Sequence, residues 1–186
     1  MPDYELVMRL VSAMSAMRET HDHHGERVAP LARDLAIAAG CTADLVELIT
    51  IGAHLHDIGK IVVPRDILNA ARKLSPDEMA QIQLHTSLGW ALVEQAGFET
   101  VICEIVRHHH ERYDGNGYPD RLQGEGIPIG ARVVCIADSY EALTSARTYR
   151  SAHTPPFAFS YMTADRGQVY DPNLLDLFFT KVIKDP

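Results

Sequence analysis

The chain has 186 residues, a hydrophobic fraction of 46% and a formal net charge of −8. That is enough chain for one domain with a sizeable core, and the acidic balance excludes a protein that grips nucleic-acid backbone through a basic face. Three cysteines, Cys41, Cys103 and Cys135, without a Cys-x-x-Cys pair, read as thiols of a reducing compartment, and no apolar run is long enough to span a membrane. The first ten residues, MPDYELVMRL, lack the basic start of a secretory signal, so a cytoplasmic protein is expected.

In chain order, Val7, Leu10, Val11, Met14 and Met17 fall at helical spacing and predict an N-terminal helix over residues 1–20. From 21 to 186 the pattern predicts one further domain. His24 opens a helix carrying Val28, Leu31 and Leu35, which Gly40 ends as a left-handed cap. Thr42 caps the next helix, whose apolar face of Leu45, Leu48, Ile49, Gly52 and Leu55 delivers His56 and Asp57 near its end, before Gly59 and Pro64 break it. Ser75-Pro76-Asp77-Glu78 is a capping box, and the helix behind it is expected to present Ile82 and His85, with Gly89 a turn later to let another backbone approach. Residues 98–113 predict a helix that carries His108, His109 and His110, followed by a glycine-rich turn, Asp114 to Pro119. Pro128 opens a long apolar helix in which Asp138 is embedded. An acid there needs a partner, either a metal or one of Arg147 and Arg150. Residues 151–171, with Pro155-Pro156, carry no clear pattern, and Asp171-Pro172 starts a last amphipathic helix. No strand-type alternation occurs, so the expected fold is all-α, a single helical domain with a bundle-like core.

His56 beside Asp57 places a neutral imidazole next to a carboxylate, a hard-metal pair, and Lys60 follows on the same helical face. Ten histidines, most of them in three clusters, give this pair partners to meet: His24 upstream, then His85, His109, His110 and Asp138 downstream.

The segments HDIGK at 56–60, HHERYDGNGYP at 109–119 and ADSYEALTSARTYR at 137–150, in this order and spacing, resemble the HD-GYP family of the HD superfamily of metal-dependent phosphohydrolases. The resemblance covers roughly residues 20–180 and implies an all-α HD-type domain. It implies two divalent metal ions, iron or manganese by the mixed nitrogen and oxygen donors. Asp57 would bridge them, with His24, His56 and Asp138 on one ion and His85, His109 and His110 on the other. It further implies a phosphodiesterase acting on cyclic di-GMP, giving the linear dinucleotide pGpG and in some cases GMP. Asp57 and Lys60 would be catalytic residues, while Lys60, Arg147, Arg150 and Tyr118 would contact the substrate. The loop around Tyr118 would be a surface for a homodimer or a signalling partner. Two other readings are an HD-type hydrolase of a different nucleotide and a binding module with little turnover.

The chain departs from the family pattern at Thr148, where proline is usual, at Glu141, where aspartate is usual, at Arg65, and at Ala70-Ala71. Some family members hold a third metal through a glutamate one helical turn before the first histidine. Here Thr20 occupies that place, and neither Glu19 nor His21 is a good substitute, so two metals are expected. His21, His23, His54 and His108 match no ligand position.

Overall fold

The structure, a computed structural model, describes residues 24–146 and 151–184 together with Arg9. The expected N-terminal helix, the third-metal candidates Glu19 and His21, and Arg147 and Arg150 lie outside the described residues, apart from Arg9.

The order is α1 (His24–Ala38), α2 (Ala43–Leu55), a 3₁₀ turn (Ile58–Val62), α3 (Arg65–Leu68), α4 (Pro76–Gln83), α5 (His85–Gln95), α6 (Thr100–His108), a short 3₁₀ turn (Gly124–Gly126), α7 (Ile129–Thr144), α8 (Pro155–Ala164) and α9 (Pro172–Leu177). A π-helical stretch (Phe178–Ile183) is the last of the described elements. There is no strand ladder among the described residues, as the missing alternation implies. None of the described helices is long and apolar enough to cross a membrane.

Local signals set most boundaries. Gly40, at φ 77°, closes α1 in the left-handed region, where its lack of Cβ removes the usual penalty. The Thr42 hydroxyl accepts the Leu45 amide, and Ser75 and Glu78 make the reciprocal capping box.

Three boundaries differ from expectation. The helix expected to carry both Ile82 and His85 bends at Leu84, and His85 becomes the first residue of α5. The helix expected over 98–113 stops at His108, because the chain folds back and seats Gly117 against the backbone of Glu111 and Arg112. Residues 155–164 are helical. The two prolines there occupy the first turn of α8, where a missing N–H costs nothing, rather than breaking structure.

Two apolar clusters share α2 and α6. The larger joins α1, α2, α6, α7, α8, α9 and the π-helical stretch through Val28, Ile49, Ile105, Val134, Met162, Leu174 and Phe178. The smaller sets Ile51, Leu55, Ile58, Val93, Ile102 and Val106 between α2, α5 and α6. Because α2 and α6 each pack on both sides, their orientation is strongly constrained, and His56-Asp57 and His109-His110 follow directly on their C-terminal ends.

Candidate metal centre

Two close backbone approaches bring the remaining residues to those helix ends. A Cβ on Gly25 would stand 2.9 Å from the His54 carbonyl oxygen, so the start of α1 lies directly against the end of α2 and places His24 beside His56, ring centroids 5.3 Å apart. At Gly59 the crossing is tighter: a Cβ would lie 1.9 Å from the His85 carbonyl oxygen and 2.6 Å from the Gly89 nitrogen. Only glycine lets α5 cross the 58–62 turn at that distance, and the crossing carries His85 to Asp57. Gly89 is the small residue on the other side of the crossing, in the role its spacing suggested.

Each imidazole is aimed. His56, His85 and His109 have Nδ1 at 2.7, 2.7 and 3.0 Å from the carbonyl oxygens of Ala53, Ile82 and Val106, three residues back. With Nδ1–H donating to a carbonyl, Nε2 keeps its lone pair and points inward, which is the tautomer a metal ligand needs. His24 Nδ1 is held by the Glu141 carboxylate, and its Nε2 lies 2.8 Å from Asp138 Oδ1.

Asp57 sits between the two sets. Its Oδ1 lies 3.5 Å from His85 Nε2 and 4.0 Å from His109 Nε2, while Oδ2 lies 3.7 Å from His56 Nε2 and accepts Lys60 Nζ at 2.6 Å. Asp138 Oδ1 is 4.0 Å from His56 Nε2. Each carboxylate oxygen of Asp57 therefore faces a different histidine set.

Burial sets the protonation states. His56 and His85 lie below the ordinary imidazole range chiefly because burial penalises their charged forms. Burial and the crowding of neighbouring rings push His109 well below that range, and burial brings His110 down to about 3. Four neutral imidazoles at physiological pH suit ligation, which requires unprotonated nitrogen. At His24, burial opposes the charge, but the bonds to Asp138 and Glu141 outweigh it and raise the pKa to about 9. Burial likewise opposes the charge on Asp138, yet its bond to His24 and the nearby His56 hold it well below the usual carboxylate range.

The donors fit divalent metal. Ligand atoms of Asp57, His85, His109 and His110 lie within 4.8 Å of one another, as do those of His24, His56 and Asp57. His56 Nε2 is buried with no hydrogen-bond partner among the described residues, an arrangement costly for a polar atom unless a ligand takes its lone pair. Every ligand candidate read from the sequence, His24, His56, Asp57, His85, His109, His110 and Asp138, is brought to this one place. Of the residues expected at the substrate, Lys60 and Tyr118 border it. His54 and His108 do not reach it, and His108 pairs with Asp120 at the surface.

The sequence profile of the HD domain matches residues 8–174. The chain belongs to the HD-domain family. The HD-GYP resemblance, carried by residues 56–60 and 109–119, lies inside the matched stretch. This HD domain is 42% identical over 153 residues to the cyclic di-GMP phosphodiesterase response regulator RpfG of Xanthomonas campestris, covering 81% of this chain and 40% of the relative. It is 35% identical over 175 residues to the 3'3'-cGAMP-specific phosphodiesterase 2 of Vibrio cholerae, covering 93% of this chain and 34% of the relative. The chain thus spans well under half the length of either protein. Among solved structures, the cyclic GMP-AMP specific phosphodiesterase V-cGAP3 of Vibrio cholerae superposes with a TM-score of 0.73 at 15% identity, over 98% of this chain and 49% of that one. At that identity the match establishes the HD-domain fold.

Glu141 is the group that sequence reasoning passed over, noted only as a departure from the usual aspartate. It lies three residues after Asp138 on α7, is 3% exposed, and bridges His24 Nδ1 to Arg27 Nε, the latter at 2.5 Å. The available signal was the i,i+3 spacing of two acids on an apolar helix. A carboxylate behind a metal-facing histidine fixes its ring and raises its basicity. Glu141→Gln is expected to weaken divalent-metal binding by about 10–100-fold at the His24 side. Competition with a chelator checks this, and an unchanged affinity contradicts it.

Proposed function

We propose that this domain is a metal-dependent phosphodiesterase that opens a cyclic dinucleotide, cyclic di-GMP in the first instance, to the linear dinucleotide. The observation that carries the reading is Asp57, with one oxygen toward His85 and His109 and the other toward His56. That geometry suits a carboxylate bridging two ions, His24, His56 and Asp138 holding one and His85, His109 and His110 the other. Iron or manganese fits the nitrogen-rich, oxygen-containing donor set. The chemistry supplied by a bound metal pair is activation of water and clamping of the attacking and leaving oxygens of an in-line displacement.

The chain's own residues do the rest. His56, His85 and His109 are sealed from solvent at 0–1% exposure, whereas the side chains of Lys60 and Asp138 retain 21% and 18%. Substrate therefore approaches past Lys60 and Asp138, with Tyr118 at the border. One N–H of Lys60 is committed to Asp57. Its ammonium has two more to offer a phosphate oxygen, and its charge offsets negative charge growing there in the transition state. Arg147 and Arg150 follow α7, and their guanidinium forks suit phosphate or a guanine edge.

Lys60→Ala is expected to lower kcat by ~10²-fold with a smaller change in KM. Arg147→Ala is expected to raise KM with full metal content, since a guanidinium does not ligate a cation. Unchanged kcat in the first variant, or metal loss in the second, removes that residue from its role.

The reading is tested by incubating the metal-loaded protein separately with cyclic di-GMP and with 3'3'-cGAMP and following the nucleotides by chromatography. Linear dinucleotide from cyclic di-GMP supports it. Turnover of cGAMP alone moves the specificity to the mixed dinucleotide, as relatives of both kinds exist. No turnover of either by the loaded protein overturns it.

A further inference from the structure

We propose that Tyr118 is a positioning residue for His110, and that the loop from Glu111 to Asp120 is built to hold its ring there. This rests on the binuclear reading above and assigns the loop a task inside the domain, in addition to any contact with substrate or partner.

The starting point is an asymmetry among the ligand candidates. The rings of His24, His56, His85 and His109 are each fixed by a hydrogen bond at Nδ1. His110 stands just beyond the end of α6 and forms no ring-nitrogen hydrogen bond among the described residues. Its ring is held by contact alone. It lies between His109, at 4.2 Å and tilted by 44°, and Tyr118, stacked at 5.0 Å and 29°, with the edge of His85 at 5.1 Å. His109 and His85 are held by the backbone, so Tyr118 closes the remaining side.

Tyr118 can do this only if its loop is stiff, and the loop is tied back to α6 at several points. The Tyr118 amide donates to the His110 carbonyl at 3.3 Å. The Asp120 amide donates to Glu111 Oε1 at 2.7 Å, a carboxylate that is 2% exposed. The Asp120 carboxylate accepts Arg107 at 2.6 and 2.9 Å and meets His108 at 2.9 Å. Gly117 sits so close to its own stem that a Cβ would lie 2.3 Å from the Arg112 nitrogen and 2.5 Å from the Glu111 Cα. The far side is zipped to the segment after α8, with the Tyr113 and Asp114 amides donating to Val169 and Gln168 carbonyls at 3.1 and 2.8 Å. A stacked ring at a fixed place thus substitutes for the hydrogen bond that His110 lacks.

The test compares the full chain with Tyr118→Phe and Tyr118→Leu. Each protein is stripped of metal and titrated with Co²⁺, read by visible absorption, and its metal-free melting temperature is recorded. Wild type and Tyr118→Phe, which keeps the ring, are expected to bind two equivalents tightly. Tyr118→Leu is expected to keep one tight equivalent and to bind the second about 10–100-fold more weakly, the usual loss when a ligand's support is removed. Two tight equivalents in Tyr118→Leu overturn the inference and leave the binuclear reading standing. Equal loss in Tyr118→Phe overturns it too, because the hydroxyl and not the stack would then be responsible. Fewer than two equivalents in wild type overturn the binuclear reading and the inference together.

Discussion

Asp57→Ala is expected to abolish hydrolysis, by on the order of 10³-fold or more, and to lose most of the bound metal while the protein stays helical. The magnitude follows from position. Asp57 has one oxygen toward each histidine set, so under the proposed binuclear arrangement its loss would remove a donor from both ions at once, whereas any single histidine would serve one. It is also the partner of Lys60, so the substitution would release the cation proposed to meet the phosphate. The apolar clusters are untouched, since Leu55 and Ile58 on either side remain packed. Metal analysis, a turnover assay and far-ultraviolet circular dichroism check the three parts. Near-normal turnover with a full metal complement contradicts the assignment of Asp57 as the shared ligand.

Gly59→Ala is expected to have the second largest effect, on stability and on metal binding together. The added methyl would meet the His85 carbonyl oxygen at 1.9 Å and the Gly89 nitrogen at 2.6 Å, both backbone atoms that cannot rotate away. Relief requires α5 to move off the 58–62 turn. Overpacking of this kind costs about 1–3 kcal/mol or more, and the movement withdraws His85 from Asp57. Gly126→Ala is the control: nothing lies within 4 Å of its Cβ position, and the change there should stay within ~0.5 kcal/mol. Chemical denaturation and metal titration of both variants decide the matter. A Gly59→Ala protein as stable and as tightly metallated as wild type would show that the crossing does not position His85.

Much of this candidate centre could be read from residue order because the ligand candidates lie in short, chemically distinctive segments. His56-Asp57, Lys60 and His109-His110 are each tied to a helix whose apolar face is plain in the sequence, so their placement at helix ends was accessible. The helix caps at Gly40, Thr42 and Ser75 were readable for the same local reason. Part of what escaped depends on contacts distant in the chain: Gly59 meets His85 and Gly89 beside the bend at Leu84, and that bend has no signature within its own segment. The early end of α6 is a local matter. The glycine-rich turn was legible, but not its return onto Glu111 and Arg112, which stops the helix at His108. Pro155-Pro156 was ambiguous because the same pair can start a helix or interrupt one, and packing of Ala158 and Met162 into the larger cluster decides for the start. The role of Glu141 behind His24, beyond its being a departure from the usual aspartate, was not legible because the two residues are 117 positions apart.

The most direct measurement of the central claim is anomalous diffraction from crystals of the manganese-loaded protein. Two peaks about 3.5–4 Å apart are expected. One should contact His24, His56 and Asp138, the other His85, His109 and His110, with Asp57 between them. A single peak, two peaks without Asp57 between them, or a third full peak held by Glu19 or His21 would contradict it.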